Sequence, residues 1–228
     1  MSSVLTTFSQ QILLEENVKF DKDRPTHGQN LKNFAQFYTG PLMMIPQLDQ
    51  NTKGYLFSMG FHLGYRYKRR LNNTIAMGYD FSYTRCDYGI AQDTPKVSNN
   101  SVKFIEEQIK LNTLGTGVFM RINFGRRGNI IGKYIDLTGF ANWNFSKVYY
   151  AKEKLITDQI QKRWYPNQKC VEPFQYGLGV RFGVNRYEIS CQYRVSDIIK
   201  TKNTNSDPIW LNAELPRIMI GIEIGIYK

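Results

Sequence analysis

Along eight stretches of this chain, large apolar residues alternate with glycine, small or polar ones. The run from Tyr55 to Lys68 shows it best. One parity is Tyr55, Phe57, Met59, Phe61, Leu63, Tyr65 and Tyr67; the other is Leu56, Ser58, Gly60, His62, Gly64, Arg66 and Lys68. Strand side chains point alternately to opposite faces, so such a segment has one greasy and one polar face. The pattern predicts strands over Asn33–Ile45, Gly54–Lys68, Thr74–Arg85, Ile109–Phe124, Tyr134–Tyr149, Phe174–Val184, Tyr187–Ile198 and Arg217–Tyr227. Residues 1–32 are polar without a sustained period and read as a leader segment, leaving 33–228 as the strand-bearing domain.

The apolar parity holds from strand to strand. It runs through Ile75, Met77, Tyr79, Phe81 and Tyr83; Leu114, Val118, Met120, Ile122 and Phe124; and Ile135, Leu137, Trp143 and Phe145. It continues through the alternate residues of 174–184 and 187–195, and ends in Ile218, Ile220, Ile222, Ile224 and Ile226. Connections at 69–73, 125–129 and 185–186 are tight, whereas 86–108, 150–173 and 199–216 are long. Short turns at one end and long loops at the other mark the bacterial outer-membrane arrangement. Aromatics gather towards both strand ends: Tyr65, Tyr67, Phe124, Phe182 and Tyr187 near the turns, Tyr83, Trp143, Phe174, Tyr176 and Tyr193 nearer the loops. Interfacial girdles have this form. The predicted fold is therefore all-β, an eight-stranded antiparallel up-and-down transmembrane β-barrel.

A soluble barrel with its apolar parity inside fails on volume. An eight-stranded barrel is just wide enough inside for side chains or one small ligand. So many Phe, Tyr, Met and Ile side chains do not fit there, while Gly60, Gly64, Gly78, Gly117, Gly183 and Gly221 on the other parity suit a crowded lumen. The mean hydropathy of −0.43 does not oppose this, because half of each strand faces inward. No apolar run approaches the roughly 18 residues of a membrane-spanning helix.

Charge sharpens the picture. The inward parity carries His62, Arg66, Asp80, Arg121, Asp136, Arg181, Glu188, Arg194, Arg217 and Glu223. Buried charges persist only when paired and hydrogen-bonded, so a ladder of arginine–carboxylate pairs is expected to fill the lumen, with a small-solute path as the alternative. The net charge is +11, part of it at the short turns in Lys68, Arg69, Arg70, Arg126, Arg127, Lys133 and Arg186. Residues ringing a barrel end suit lipid phosphates or an acidic periplasmic protein, not nucleic acid. In the 150–173 connection, Lys152, Lys154, Lys162, Arg163, Trp164 and Lys169 form a second basic and aromatic group, suited to lipopolysaccharide phosphates or a protein partner.

No catalytic residues, metal ligands or cofactor are predicted. His62 shares a strand face with Ser58, but four residues along one strand is too far for direct contact. A lipid hydrolase or acyltransferase would need its pair assembled across strands. Cys86 and Cys170 both fall at the loop end and are expected to be unpaired small hydrophobes, with a disulfide between them as the alternative, and Cys191 lies on the apolar parity.

The segments Arg66–Asn73, Arg121–Asn129, Tyr134–Leu137 and Leu215–Ile226 resemble outer-membrane β-barrel proteins of Bacteroidota, in particular the small barrels of the PorT-like family. The resemblance covers roughly residues 33–228. It implies an outer-membrane location and a porin-like or assembly-associated role, in some members tied to type IX secretion. Residues 1–14 lack a basic opening followed by an apolar core, so a secretory signal is expected to have been removed. The expected role is that of a structural or accessory subunit of an envelope assembly, with lipid or lipopolysaccharide and envelope proteins as partners.

Overall fold

The structure, a computed structural model, describes residues 27–46, 58–90, 103–125, 128, 130–154, 159–199 and 215–227. Among them run nine strands: β1 Asn33–Ile45, β2 Ser58–Arg70, β3 Ile75–Ile90, β4 Lys103–Phe124, β5 Lys133–Lys154, β6 Ile160–Pro166, β7 Phe174–Val184, β8 Tyr187–Arg194 and β9 Ile218–Ile226. All pairings are antiparallel. They run β1-β2-β3-β4-β5-β7-β8-β9 and return from β9 to β1, which closes a ring of eight. The up-and-down barrel predicted from alternation is the observed fold.

β6 stands outside the ring, and the sequence reading took the 150–173 connection as a loop. β6 pairs with the loop-side third of β5, Val148–Lys154, while the same segment pairs with β4 on its other edge. β3, β4 and β5 also run beyond their predicted loop-side ends, to Ile90, Lys103 and Lys154. The reason is physical: above the belt the outward positions become polar and the apolar ones turn inward to the roof, as Tyr88 and Ile109 do, so the outward greasy parity that marks the strands ends there. Gly54–Phe57, predicted as the start of the second strand, lie outside the described residues.

The belt is continuous. Val118, Leu178, Phe174, Ile189, Phe37, Ile226, Ile222, Phe81, Phe61 and Met77 are all exposed on the outer wall. In β3 the apolar outward positions run from Ile75 to Tyr83 before Arg85 and Asp87 take over, and in β4 from Phe124 up to Leu114 before Asn112 and Lys110. Such spans match the roughly 9–11 tilted residues a strand needs to cross hydrocarbon. Tyr83, Leu114, Trp143 and Phe174 are successive register partners, so aromatics line the loop-side edge of the belt.

The interior is layered. Nearest the short turns, Phe34, Ile131 and Tyr134 form a buried apolar floor against which Tyr227 packs. Charged residues occupy the middle. At the loop end Met44, Cys86, Tyr88, Ile109, Leu111, Val171, Ile198, Leu215 and Met219 form an apolar roof. The segments at 167–173 and 195–199 fold across this mouth and meet in the bridge Val171–Ile199. Cys86 and Cys170 both contribute to the roof without a disulfide between them, and Cys191 is exposed on the belt.

Four inward aromatic rings sit on glycines of the neighbouring strand. Tyr38 faces Gly64, Phe119 faces Gly78, Phe140 faces Gly177 and Tyr134 faces Gly183. A Cβ at Gly78 would stand 2.5 Å from the Phe119 ring, and one at Gly183 would stand 2.1 Å from that of Tyr134. The absent side chain is the room the ring occupies.

Candidate functional site

The middle layer of the lumen is a single chain of ion pairs. Arg121 on β4 grips Asp136 of β5 in a two-pronged contact at 2.7 and 2.8 Å. Asp136 also faces Arg181 of β7 at 3.4 Å, and Arg181 donates to Asp80 of β3 at 2.8 Å. Asp80 stands 3.8 Å from Arg66 of β2, which donates to Glu188 of β8 and, at 2.8 Å, to Glu223 of β9. Gln36 of β1 completes the set with a 3.1 Å bond to Glu188. Each of the eight ring strands thus supplies at least one member. His62 closes one side, 3.8 Å from Glu223 and edge-on to Tyr38.

Aromatic faces separate the guanidinium groups. Arg66 lies 4.2 Å from the Tyr38 ring centre and Arg121 lies 3.5 Å from that of Tyr134, while Arg181 is 5.0 Å from Phe119. A cation over a ring face is attracted by its quadrupole, and the attraction grows when water is excluded. Tyr38, Phe119, Tyr134 and Gln36 therefore belong to the network, although the sequence reading did not name them. The signal that could have found the three rings is a glycine at the matching position of the next strand, which requires the register.

Two further lumen candidates lie elsewhere. Arg194 is buried but reaches up to the mouth, donating to the carbonyls of Ser196, Leu215 and Pro216 and so pinning the roof segments. Arg217 precedes β9 and sits on the rim, where it bonds Asp197 and the Val195 carbonyl; the chain leaves the sheet before its side chain reaches the interior.

The basic turn residues also divide. Arg69, Lys133 and Arg186 are exposed at the short-turn end, and Arg186 stacks on Tyr227 at 4.7 Å. Lys68 corrects the expectation of a surface contact: it shares the parity of Arg66, is buried, and donates to the Gln29 carbonyl at 2.7 Å beside the Phe34 ring. Arg70 is half-buried and donates to the Asn30 carbonyl at 2.6 Å. Asn30 in turn donates to the Gly128 carbonyl, so residues 27–32 form a strap under the barrel floor that Lys68 and Arg70 hold. Arg126 and Arg127 lie outside the described residues.

The voids that the described residues enclose in the lumen are small. One void of about 30 Å³ lies among Tyr38, His62, Asp80, Arg181 and Glu223, and another of about 20 Å³ lies beneath the roof, near Leu111 and Met219. Each has room for a water molecule or two. Ser58, the other member of the sequence-level pair with His62, accepts a bond from the Gly89 amide at 3.1 Å. Among the described residues no group of three or more His, Cys, Asp or Glu is arranged to hold a metal.

No protein-family model matches the chain, and no curated protein matches it. Among solved structures it is similar to Ail. That is the attachment invasion locus protein of Yersinia pestis, crystallised in complex with the heparin analogue sucrose octasulfate. The two share 16% identity over 84% of this chain and 97% of Ail, with a TM-score of 0.37.

Proposed function

We propose that this chain is a bacterial outer-membrane β-barrel with a sealed lumen, acting through its two ends as a structural or accessory subunit of an envelope assembly. One observation carries the proposal: burial is inverted. Phe174, Val118 and Leu178 are each at least 64% exposed on the wall, while Arg66, Arg121, Asp136, Glu188 and Glu223 are at most 2% exposed inside. Soluble monomers rarely show apolar patches beyond a few hundred Å². A hydrocarbon surround turns the same wall into a favourable surface, and ring closure leaves no strand edge unpaired within it.

The interior supports a structural role over transport. Voids of about 30 and 20 Å³, between an apolar floor and an apolar roof, offer no path for a hydrated solute. The ion pairs engage seven of the eight ring strands and the Gln36 hydrogen bond the eighth, as expected of a closure device. Among the described residues His62 and Ser58 are not brought together as a catalytic pair: His62 faces Glu223, and Ser58 accepts from the Gly89 amide. The likeness of the Arg66–Asn73 and Arg121–Asn129 segments to PorT-like barrels favours an assembly-associated role, type IX secretion being one such setting.

Partners would meet the barrel at its ends. Arg69, Lys133 and Arg186 give the turn end a basic rim for an acidic periplasmic protein or lipid phosphates, and the sequence of the turn between β4 and β5 adds Arg126 and Arg127. Two measurements test the proposal. The native protein should partition with outer membranes and migrate faster in unheated detergent gels. Charge reversal at Arg69, Arg126 and Arg127 should then release a co-purifying envelope protein without abolishing that heat-dependent shift. A protein that stays monodisperse without detergent would refute the membrane location, and steady conductance in planar bilayers would favour the channel.

A further inference from the structure

β5 does not stop at the edge of the apolar belt. Its last residues pair with β4 on one side and β6 on the other, making a three-stranded blade that continues the barrel wall beyond the girdle. A bulge decides what this blade presents. Thr113 pairs with Asn144 and Asn112 with Ser146, so Phe145 is the extra residue. Below it the outward positions of β5 are odd, as at Leu137 and Trp143; above it they are even. An extra residue in one strand of a pair has this re-aiming effect.

Tyr150 and Lys152 therefore share the outward side with their register partners Trp164 and Lys162 on β6, and with Lys110 on β4. The Tyr150 and Trp164 rings are 4.6 Å apart. The Lys110 ammonium lies 4.8 Å from the first ring centre and 5.0 Å from the second. Trp164 is 57% exposed, and Lys162 is exposed beside it. Glu106 lies on the same side and accepts a bond from the Gln108 amide at 2.6 Å, and Asp87 of β3, the register partner of Lys110, is engaged by Arg85 at 3.5 Å, so among the described residues four cations face two carboxylates.

Height identifies the partner. Lys110 stands four residues beyond Leu114, the last apolar outward residue of β4; Glu106, level with Lys152 and Lys162, stands eight beyond. With a rise of ~3.4 Å per residue and a tilt of ~40°, these levels lie about 10 and about 20 Å above the hydrocarbon edge. The headgroup zone of a phospholipid leaflet is only about 5–7 Å deep. The cations face sideways, over the belt, at a level that only a tall headgroup reaches. The geometry points to the blade as a binding platform for the phosphorylated saccharide headgroup of a glycolipid in the surrounding leaflet. Phosphates would meet Lys110, Lys152 and Lys162, and a sugar face would lie on Trp164. This rests on the outer-membrane placement proposed above and names a lipid partner for it.

The test uses the full chain in phosphatidylcholine nanodiscs doped with lipid A bearing its inner-core sugars, either fully phosphorylated or dephosphorylated. Glycolipid retained after detergent extraction is counted by native mass spectrometry. The wild type should retain the phosphorylated form on the order of a hundredfold more tightly than K110E/K152E/K162E, at about tenfold or less per lost cation. It should also prefer that form over the dephosphorylated one, and W164A should lower retention of both. Unheated gel migration reports insertion separately. A chain that fails to insert sinks the outer-membrane placement and this inference with it. Insertion with equal retention of both glycolipids, or with no loss in the triple variant, sinks the inference alone. Capture of soluble dextran sulfate through the same lysines, without glycolipid discrimination, would also overturn it.

Discussion

Replacing Arg66 by methionine tests the lumen network at its most connected point. The guanidinium donates to Glu188 and Glu223, faces Asp80 at 3.8 Å and lies over the Tyr38 ring. Methionine has similar length and no charge, so packing is largely kept while two carboxylates lose their cation. The ion-paired set holds Arg66, Arg121 and Arg181 against Asp80, Asp136, Glu188 and Glu223; the variant leaves two guanidiniums for the same four carboxylates. Breaking a buried pair from one side costs about 3–5 kcal/mol, and a residue serving two carboxylates belongs at the upper end. With a urea dependence of about 2 kcal/mol per molar, the unfolding midpoint should fall by about 2 M. Unfolding in lipid vesicles, read by unheated gel migration and tryptophan fluorescence, measures it. Arg66→Met with Glu188→Gln and Glu223→Gln should recover most of the loss, because the stranded charge goes with its partner. A loss below about 1 kcal/mol, the scale of an exposed pair, would refute the reasoning. A triple variant no more stable than the single one would refute it equally.

Other parts of the barrel give separate tests. Ile222→Arg puts a charge in the middle of the belt and should cost about 2–4 kcal/mol in vesicles, while Arg85→Ala, above the belt, should be near neutral; equal effects would contradict the assigned band. Gly78→Val drives a side chain into the Tyr67 carbonyl and the Phe119 ring, and should destabilise by about 1–3 kcal/mol or prevent folding. Phe119→Ala in the same background should return part of that loss, and its failure to do so would separate the clash from the ring. In intact vesicles a water-soluble maleimide should leave Cys191 and Cys86 unmodified, the first shielded by lipid and the second buried in the roof, and denaturation should expose both. Labelling of Cys191 without detergent would place that wall in water.

How far each feature was legible follows from its range along the chain. The bounds of β1 and β7 coincide with those predicted, and the belt residues from Ile75 to Tyr83 and from Ile218 to Ile226 could be assigned to the outer wall from parity and volume. Alternation is a local property: the pleat fixes which neighbours share a face, and only a membrane wall imposes it on strand after strand. Above the belt that constraint ends. β6 carried no signal, and the Phe145 bulge that turns Tyr150 outward is visible only from the pairing with β4.

The lumen divides in the same way. Parity showed that Arg66, Asp80, Arg121, Asp136, Arg181, Glu188 and Glu223 point inward, but not who meets whom. Arg66 and Glu223 are 157 residues apart, and only the closure of β9 on β1 brings them together. Nearness to the short turn, against its own parity, assigns Lys68 to the surface, and parity puts Arg217 inside. The strap at 27–32 buries the first, and the exit of the chain before β9 frees the second. Sequence alone determined which parity forms the outer wall, because each strand's period of two is written in its own residues and the greasy parity is too bulky for an eight-stranded interior. Register and ring closure decided the partners, because they are set by contacts that no single segment contains.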